Sequence, residues 1–280
     1  MSEASNKLKL SFLGTGSMNG AILRGILAAG HDPNLITATV RSESRVAELR
    51  ELGINVLVSS LDPSANSTAV ADADLIFLGV KPVGIAALCE EISPALKPHA
   101  VVVSVAAAIT LATMQAKLPA GQPVIRSMPN TPLMIGAGVV GISPADTVSQ
   151  EQVQAVTSLL SGSGDVHVIP EDQQNALSAI SGSGPAYVFY LAEAMAKAGV
   201  ALGLDAQLSA SLARATVAGA GKMLADPHAD AAVLRQGVTS PNGTTERAIA
   251  VFDTEGIEQT IADGTRAACD RAGQLSKELG

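Results

Sequence analysis

The sequence has no Trp, two Tyr and four Phe among its 280 residues, so aromatic side chains make up 2% of the chain. Apolar residues still account for 47%, so any core must be built from Ala, Val, Leu and Ile. The quantity of Ala and Gly points to helices that approach one another closely. Basic residues are scarce: 18 Lys and Arg stand against 26 Asp and Glu, for a net charge of −8. No segment gathers Lys or Arg, which argues against a nucleic-acid backbone or an anionic membrane as partner.

Cysteine is also rare. Cys89 and Cys269 belong to no CxxC or Cys/His cluster, so the pattern suggests neither a metal site nor a disulfide framework, and both read as small hydrophobes in a reducing compartment. The opening MSEASNKLKL has no apolar stretch ahead of a cleavage site, and a cytoplasmic location is expected. Two uncharged stretches, 98–116 and 127–145, test for membrane spans. The first reads as a Val-rich strand, Ala100 to Val105, followed by a helix from Thr110; the second contains Pro129, Pro132 and several glycines. Neither suits a span.

The length allows two modest domains. Apolar runs at Leu8 to Leu13, Leu35 to Val40, Asp74 to Val80, Val101 to Val105, Val124 to Ser127 and Val139 to Ile142 read as strands. Helical spacing over Met18 to Ala29 and Glu43 to Leu52 falls between them. Short apolar runs separated by helices predict a parallel sheet covered on both faces, a doubly wound α/β domain. The β-branched runs stop at about Val168, and Ala-rich helices are expected over Glu171 to Ser181, Pro185 to Ala201, Asp205 to Leu224, Thr244 to Asp253 and Ile257 to Leu279. The predicted division is therefore residues 1–168, a Rossmann-type domain, and residues 169–280, an all-helical domain. So Ala-rich a helical region buries little surface alone, and pairing with a second copy is expected.

Gly14-Thr15-Gly16-Ser17-Met18-Asn19-Gly20 follows a strand and opens a helix, the setting of a dinucleotide-binding turn. Gly14 permits the tight turn, Gly16 admits a pyrophosphate to backbone N–H groups, and the helix N-terminus favours its charge. The third glycine arrives one position late, so close helix packing falls to Asn19 or Ala21. At the end of the second strand Arg41 and Ser42, with Arg45 one turn on, suit a ribose 2′-phosphate and favour NADPH. Glu43 keeps NADH open as an alternative donor. Val80, Lys81 and Pro82 emerge from a buried strand, where ligands of such sheets bind, although a plain turn explains them too.

Ser240-Pro241-Asn242-Gly243-Thr244-Thr245 makes a tight turn that opens a helix, a cradle for a small carboxylate, and simple capping accounts for the same residues. With GTGSMNG, LGVKP at 78–82, VVSVAAAIT at 102–110, RSMPNTP at 126–132, SGSGPAY at 181–187 and VTSPNGTT at 238–245, the chain resembles the pyrroline-5-carboxylate reductases from about residue 8 onward. Asn242 replaces the more usual first Gly of that family's SPGGTT, a change Asn suits because it tolerates left-handed backbone.

The resemblance implies an NADPH-binding Rossmann domain and a helical domain that interlocks with a second chain as a homodimer, sometimes assembled into rings. It implies that Asn66 lies near the adenosine 2′-phosphate, Lys81 and Pro82 beside the nicotinamide side of the cofactor, and Ala106 and Ala107 near the nicotinamide amide. Ser240, Gly243, Thr244 and Thr245 would hold the substrate, 1-pyrroline-5-carboxylate, whose reduction yields proline. A protonated cyclic imine is already electrophilic, so catalysis is mainly placement, worth roughly 7 to 11 kcal/mol. Thr245 is expected to hydrogen-bond the ring nitrogen, and Ser240 with the Gly243 and Thr244 N–H groups to hold the carboxylate.

His31, His99, His167 and His228 fall in no catalytic pattern and are expected on the surface or in loops. Two other functions bear comparison. A β-hydroxyacid dehydrogenase wants a Lys one turn into the SGSGPAY helix, where Val188 and Phe189 stand instead and Lys197 comes much later. An NADPH-sensing scaffold has no use for the 240–245 turn.

Overall fold

The computed structural model describes residues 7–279, which form two compact units: residues up to 182 together with 268 onward, and residues 183–267. In the first, β1 (Leu10–Leu13), β2 (Ile36–Val40), β3 (Asn55–Val58), β4 (Leu75–Leu78), β5 (Val101–Ser104), β6 (Val124–Pro129), β7 (Gly138–Pro144) and β8 (Gly164–Val168) make one sheet. Its order is β3-β2-β1-β4-β5-β6-β7-β8, and the first six strands follow the doubly wound order of dinucleotide-binding folds. The helices of this unit are α1 (Ser17–Ala28), α2 (Val46–Arg50), α3 (Ala65–Val70), α4 (Ile85–Ile92), α5 (Leu111–Gln115), α6 (Gln150–Leu160) and α7 (Gln174–Leu177).

Period-two alternation sorts the strand side chains. Phe12, Leu75, Phe77, Val101 and Val103 join α1 and α6 residues such as Ile22, Leu23 and Val156 in one core. Leu13, Ile76, Leu78 and Val102 join Val70, Ile85, Leu88 and Met114 in the other. Phe12 and Phe77 stack across β1 and β4 with centroids 4.8 Å apart. Fully burying each such side chain contributes roughly 1.5 to 3 kcal/mol. Cys89 is one of these buried hydrophobes, and desolvation pushes its thiol up to about 12.

Several expectations need correction. The sheet is mixed, because β7 runs antiparallel to β6 while β8 runs parallel to β7. Strands β3 and β8, at the two edges, were not expected. The span 43–52 is a 3-10 turn followed by α2, and 171–181 is a 3-10 turn, α7 and a π-helical stretch, Ser178–Gly182. His31 lies in the loop after α1, as expected, but is only 2% exposed there, and burial lowers its pKa.

The first compact unit runs past Val168 to Gly182. Residues after β8 remain on the sheet: Gln174 is fully buried, its Nε2 donates to Ser143 Oγ at 2.8 Å, and Leu177 fills the space beside Gly141. Leu279, at the far end of the chain, packs against the second core.

The second unit holds α8 (Gly184–Ala201), α9 (Ala206–Leu224), α10 (Ala231–Gly237) and α11 (Thr244–Thr254), and α12 (Ile257–Leu279) begins in it. Pro185 opens α8, and the Asp205 carboxylate caps α9 by accepting from Gln207 N at 2.6 Å. Helices α8 and α9 touch where Ser209 Oγ donates to Ala196 O at 2.7 Å. Among residues 183–267 only Ser209 and Ala213 are buried. Phe189 (68%), Tyr190 (74%) and Leu202 (85%) stand exposed.

Candidate active site

Gly14, Arg41, Val80 and Ala106 follow the carboxyl ends of β1, β2, β4 and β5, which are parallel neighbours. The cofactor candidates of the first unit thus share the carboxyl ends of these parallel strands, where such folds bind ligands. Gly14 has φ +68° and sits against Val80. Gly16 ends the turn, where an added Cβ would meet only Gly14 O at 4.0 Å, and caps α1 without any side-chain partner. The start of α1, with Ser17 and Met18, therefore offers backbone N–H groups and no acidic residue, which fits a pyrophosphate.

Thr15 serves the turn itself: its hydroxyl donates to Phe12 O at 3.0 Å and its N–H to Thr39 O at 2.8 Å. Asn19 supplies the close helix packing. Its buried amide donates to Leu13 O at 3.1 Å and Phe77 O at 3.2 Å, and it fills the space beside Gly79.

Arg41 and Ser42 are exposed at the end of β2, and Ser42 Oγ lies 3.1 Å from Ser44 Oγ. Arg45 turns inward. Its Nη1 donates to Thr15 O at 2.8 Å, and its Nε to Glu48 Oε2 at 3.1 Å. Arg45 and Arg24 together hold the Glu48 carboxyl down to about 2. Asn66 is linked to the glycine-rich turn: Gly14 N donates to Thr39 Oγ1 at 3.2 Å, and that hydroxyl donates to Asn66 Oδ1 at 2.7 Å. Its amide nitrogen donates to Glu91 Oε1 at 3.0 Å.

Lys81 is exposed and its carbonyl accepts from Gly84 N at 2.8 Å; Pro82 starts that 3-10 turn. In the 105–110 turn Ala107 is exposed, while Ala106, whose N–H donates to Ser104 Oγ at 3.3 Å, is buried. Ala108 adopts φ +68°.

The substrate candidates lie in the second unit. Asn242 holds φ +57°, as its tolerance of left-handed backbone requires, and its N–H donates to Glu246 Oε2 at 2.8 Å. Gly243 N donates to Ser240 O at 3.0 Å, and a Cβ on Gly243 would sit 2.9 Å from that oxygen. Gly243 also caps α11 with no side chain, so the N–H groups at Thr244 and Thr245 open the helix uncapped. Ser240 and Thr244 are exposed, and Thr245 is half-buried.

Comparison with known proteins gives two family models: residues 9–108 match the coenzyme F420-dependent NADP oxidoreductase model, and residues 171–275 the pyrroline-5-carboxylate reductase dimerisation model. The pyrroline-5-carboxylate reductase of Pseudomonas aeruginosa is 38% identical over 274 residues, covering 97% of this chain and 98% of that protein. This chain belongs to the pyrroline-5-carboxylate reductases.

The reductase of Corynebacterium melassecola is 39% identical over 96% of this chain and 98% of its own. The solved reductase structure from Coxiella burnetii superposes with a TM-score of 0.89 at 33% identity, over 96% of this chain and 98% of that one. For this pyrroline-5-carboxylate reductase, the dimerisation model begins at Glu171, close to the expected change of character at Val168 and ahead of the compact-unit boundary. The residues that support the site without a sequence signal are Thr39, Glu48, Glu91 and Glu246, each joined to a candidate residue by a side-chain contact. Arg45 carried a signal, but as a phosphate ligand rather than as a brace for Thr15.

Among the described residues no His, Cys, Asp or Glu cluster could hold a metal ion, and no helix is long and apolar enough to cross a membrane.

Proposed function

We propose that this chain reduces 1-pyrroline-5-carboxylate to L-proline, with NADPH as donor and NADH as a weaker alternative. The observation that carries the reading is the 240–245 turn, because a left-handed Asn242 and a clash-limited Gly243 leave the start of α11 uncapped for a carboxylate. The family relationship supports the same substrate.

NADPH, when bound, supplies the hydride. Gly14, Thr15, Gly16, Ser17 and Met18 would receive its pyrophosphate at the start of α1, and Arg41, Ser42 and Asn66 its adenosine 2′-phosphate. Val80, Lys81, Pro82, Ala106 and Ala107 would line the nicotinamide end. Ser240 and the Thr244 N–H group would bind the substrate carboxylate, Gly243 would shape the turn because its own N–H is taken by Ser240 O, and the Thr245 hydroxyl would orient the ring nitrogen. Hydrogen bonds to charged groups of this kind contribute about 1.5 to 3 kcal/mol each. A protonated imine needs no further acid, which suits a site whose candidate residues include no histidine.

Residues 1–168 would form the cofactor domain and 169–280 the substrate and dimerisation domain. A homodimer through the helical unit, extended into rings, would cover side chains such as Phe189 and Leu202. The two free cysteines suit a reducing, cytoplasmic setting. Purified protein mixed with 1-pyrroline-5-carboxylate should consume NADPH and release proline, faster than with NADH. Binding of NADPH without its oxidation would remove the function.

A further inference from the structure

Arg126 is the one buried Lys, Arg, Asp or Glu among the described residues, at 6% exposure. It pairs with Ser104 in the β5–β6 register, at the carboxyl end of β5 from which the 105–110 turn leaves. Its Nη1 lies 3.3 Å from Glu171 Oε1, and that same oxygen accepts from Leu111 N at 2.7 Å. Leu111 is the first residue of α5, and Thr110 Oγ1 caps the helix a second time by accepting from Thr113 N at 3.1 Å. The turn between Ser104 and Thr110 is thus held at its entry by the strand and at its exit by two caps. Inside it, Ala108 keeps a left-handed backbone that persists only where the surroundings over-determine it.

An ion pair whose Arg126 is buried while Glu171 is half-buried is a weak source of net stability, because desolvation of the arginine offsets its attraction. Orientation explains this one better. We propose that Arg126 and Glu171 are positioning residues: they clamp the 105–110 turn and so set the backbone that meets the nicotinamide end of the cofactor. The proposal rests on the reading that Ala106 and Ala107 face the nicotinamide amide. Glu171 supplies the cap, and Arg126 holds its carboxylate in place.

The test compares two ligands by calorimetric titration of the full-length protein. NADPH carries the nicotinamide; adenosine 2′,5′-bisphosphate carries only the adenosine and its 2′-phosphate. Glu171→Ala should weaken NADPH about tenfold, the scale of one lost cap hydrogen bond, and leave the bisphosphate within about twofold of wild type. Glu171→Gln, which keeps an oxygen for Leu111 N, should recover part of the loss. Equal loss for both ligands, or loss for neither, would overturn the proposal. If Glu171→Ala does not fold, Arg126→Lys is judged by the same two affinities. Turnover of 1-pyrroline-5-carboxylate by wild-type protein is measured separately, so a failure of the function leaves this binding comparison readable.

Discussion

A Cβ built on Gly14 would lie 2.5 Å from Cγ1 of Val80. The first glycine of the cofactor turn is therefore fixed twice, by its own φ of +68° and by Val80, two positions past the end of the neighbouring strand β4. Gly14→Ala should destabilise the protein by roughly 2 to 5 kcal/mol, from left-handed strain and overpacking together. NADPH affinity should fall at least about tenfold as the turn shifts. Fluorescence titration and thermal melting would check both, and a variant with wild-type affinity would remove Gly14 from the site.

Ala108 presents the opposite case. It holds φ +68° with a Cβ present, so Ala108→Gly should relieve about 1 to 2 kcal/mol of strain and give back about 0.5 to 1 in backbone entropy. A net gain of roughly 0.5 to 1 kcal/mol is expected in urea denaturation followed by circular dichroism. A loss of stability would mean that the methyl packs better than its backbone suffers.

Thr245→Ala should lower turnover by about tenfold to a hundredfold or more, the value of one hydrogen bond to a charged ring nitrogen. Thr245→Ser should retain most of the rate, with unchanged melting in both variants. An Ala variant as fast as wild type would exclude the hydroxyl from the reaction.

His31 makes stability depend on pH. Burial lowers its pKa from the ordinary 6.5, against opposing effects of the Leu8 backbone and the Asp32 charge. The folded protein then binds fewer protons than the unfolded chain once the pH drops below 6.5. Its contribution is fully present above that value and is lost as pH falls through the lower folded value. Unfolding free energies measured from about pH 7.5 down to 5 should decline with a steeper slope in wild type than in His31→Gln. Equal slopes would assign the dependence to other groups.

Legibility in the sequence followed burial on both sides. β1, β4 and β5 are buried at every position and read as apolar runs broken only by Ser11 and Ser104, both buried themselves. β3 and β8 are the edges of the sheet, and polar exposed residues interrupt them, Asn55 in β3 and Asp165 and His167 in β8, so any apolar run there is short. Helix starts were readable where a side chain does the capping, as with Asp205 and Thr110. The 240–245 turn was readable because Asn and Gly have few other reasons to stand together before a helix. The Arg126 and Glu171 pairing was not: the partners are 45 positions apart, and nothing local in either segment requires the other. The burial of His31 within its loop was not legible for a similar reason, since it depends on the fold around it.

The helical unit leaves Phe189, Tyr190 and Leu202 in water and buries only Ser209 and Ala213. Such a unit gains little by folding alone, so its order must be supplied by mass action. Its melting temperature should climb with protein concentration, because each increment of association removes exposed chain from the unfolding equilibrium. Dilution would then act on this protein as a denaturant, loosening the helices while the sheet and its stacked Phe12 and Phe77 stay intact.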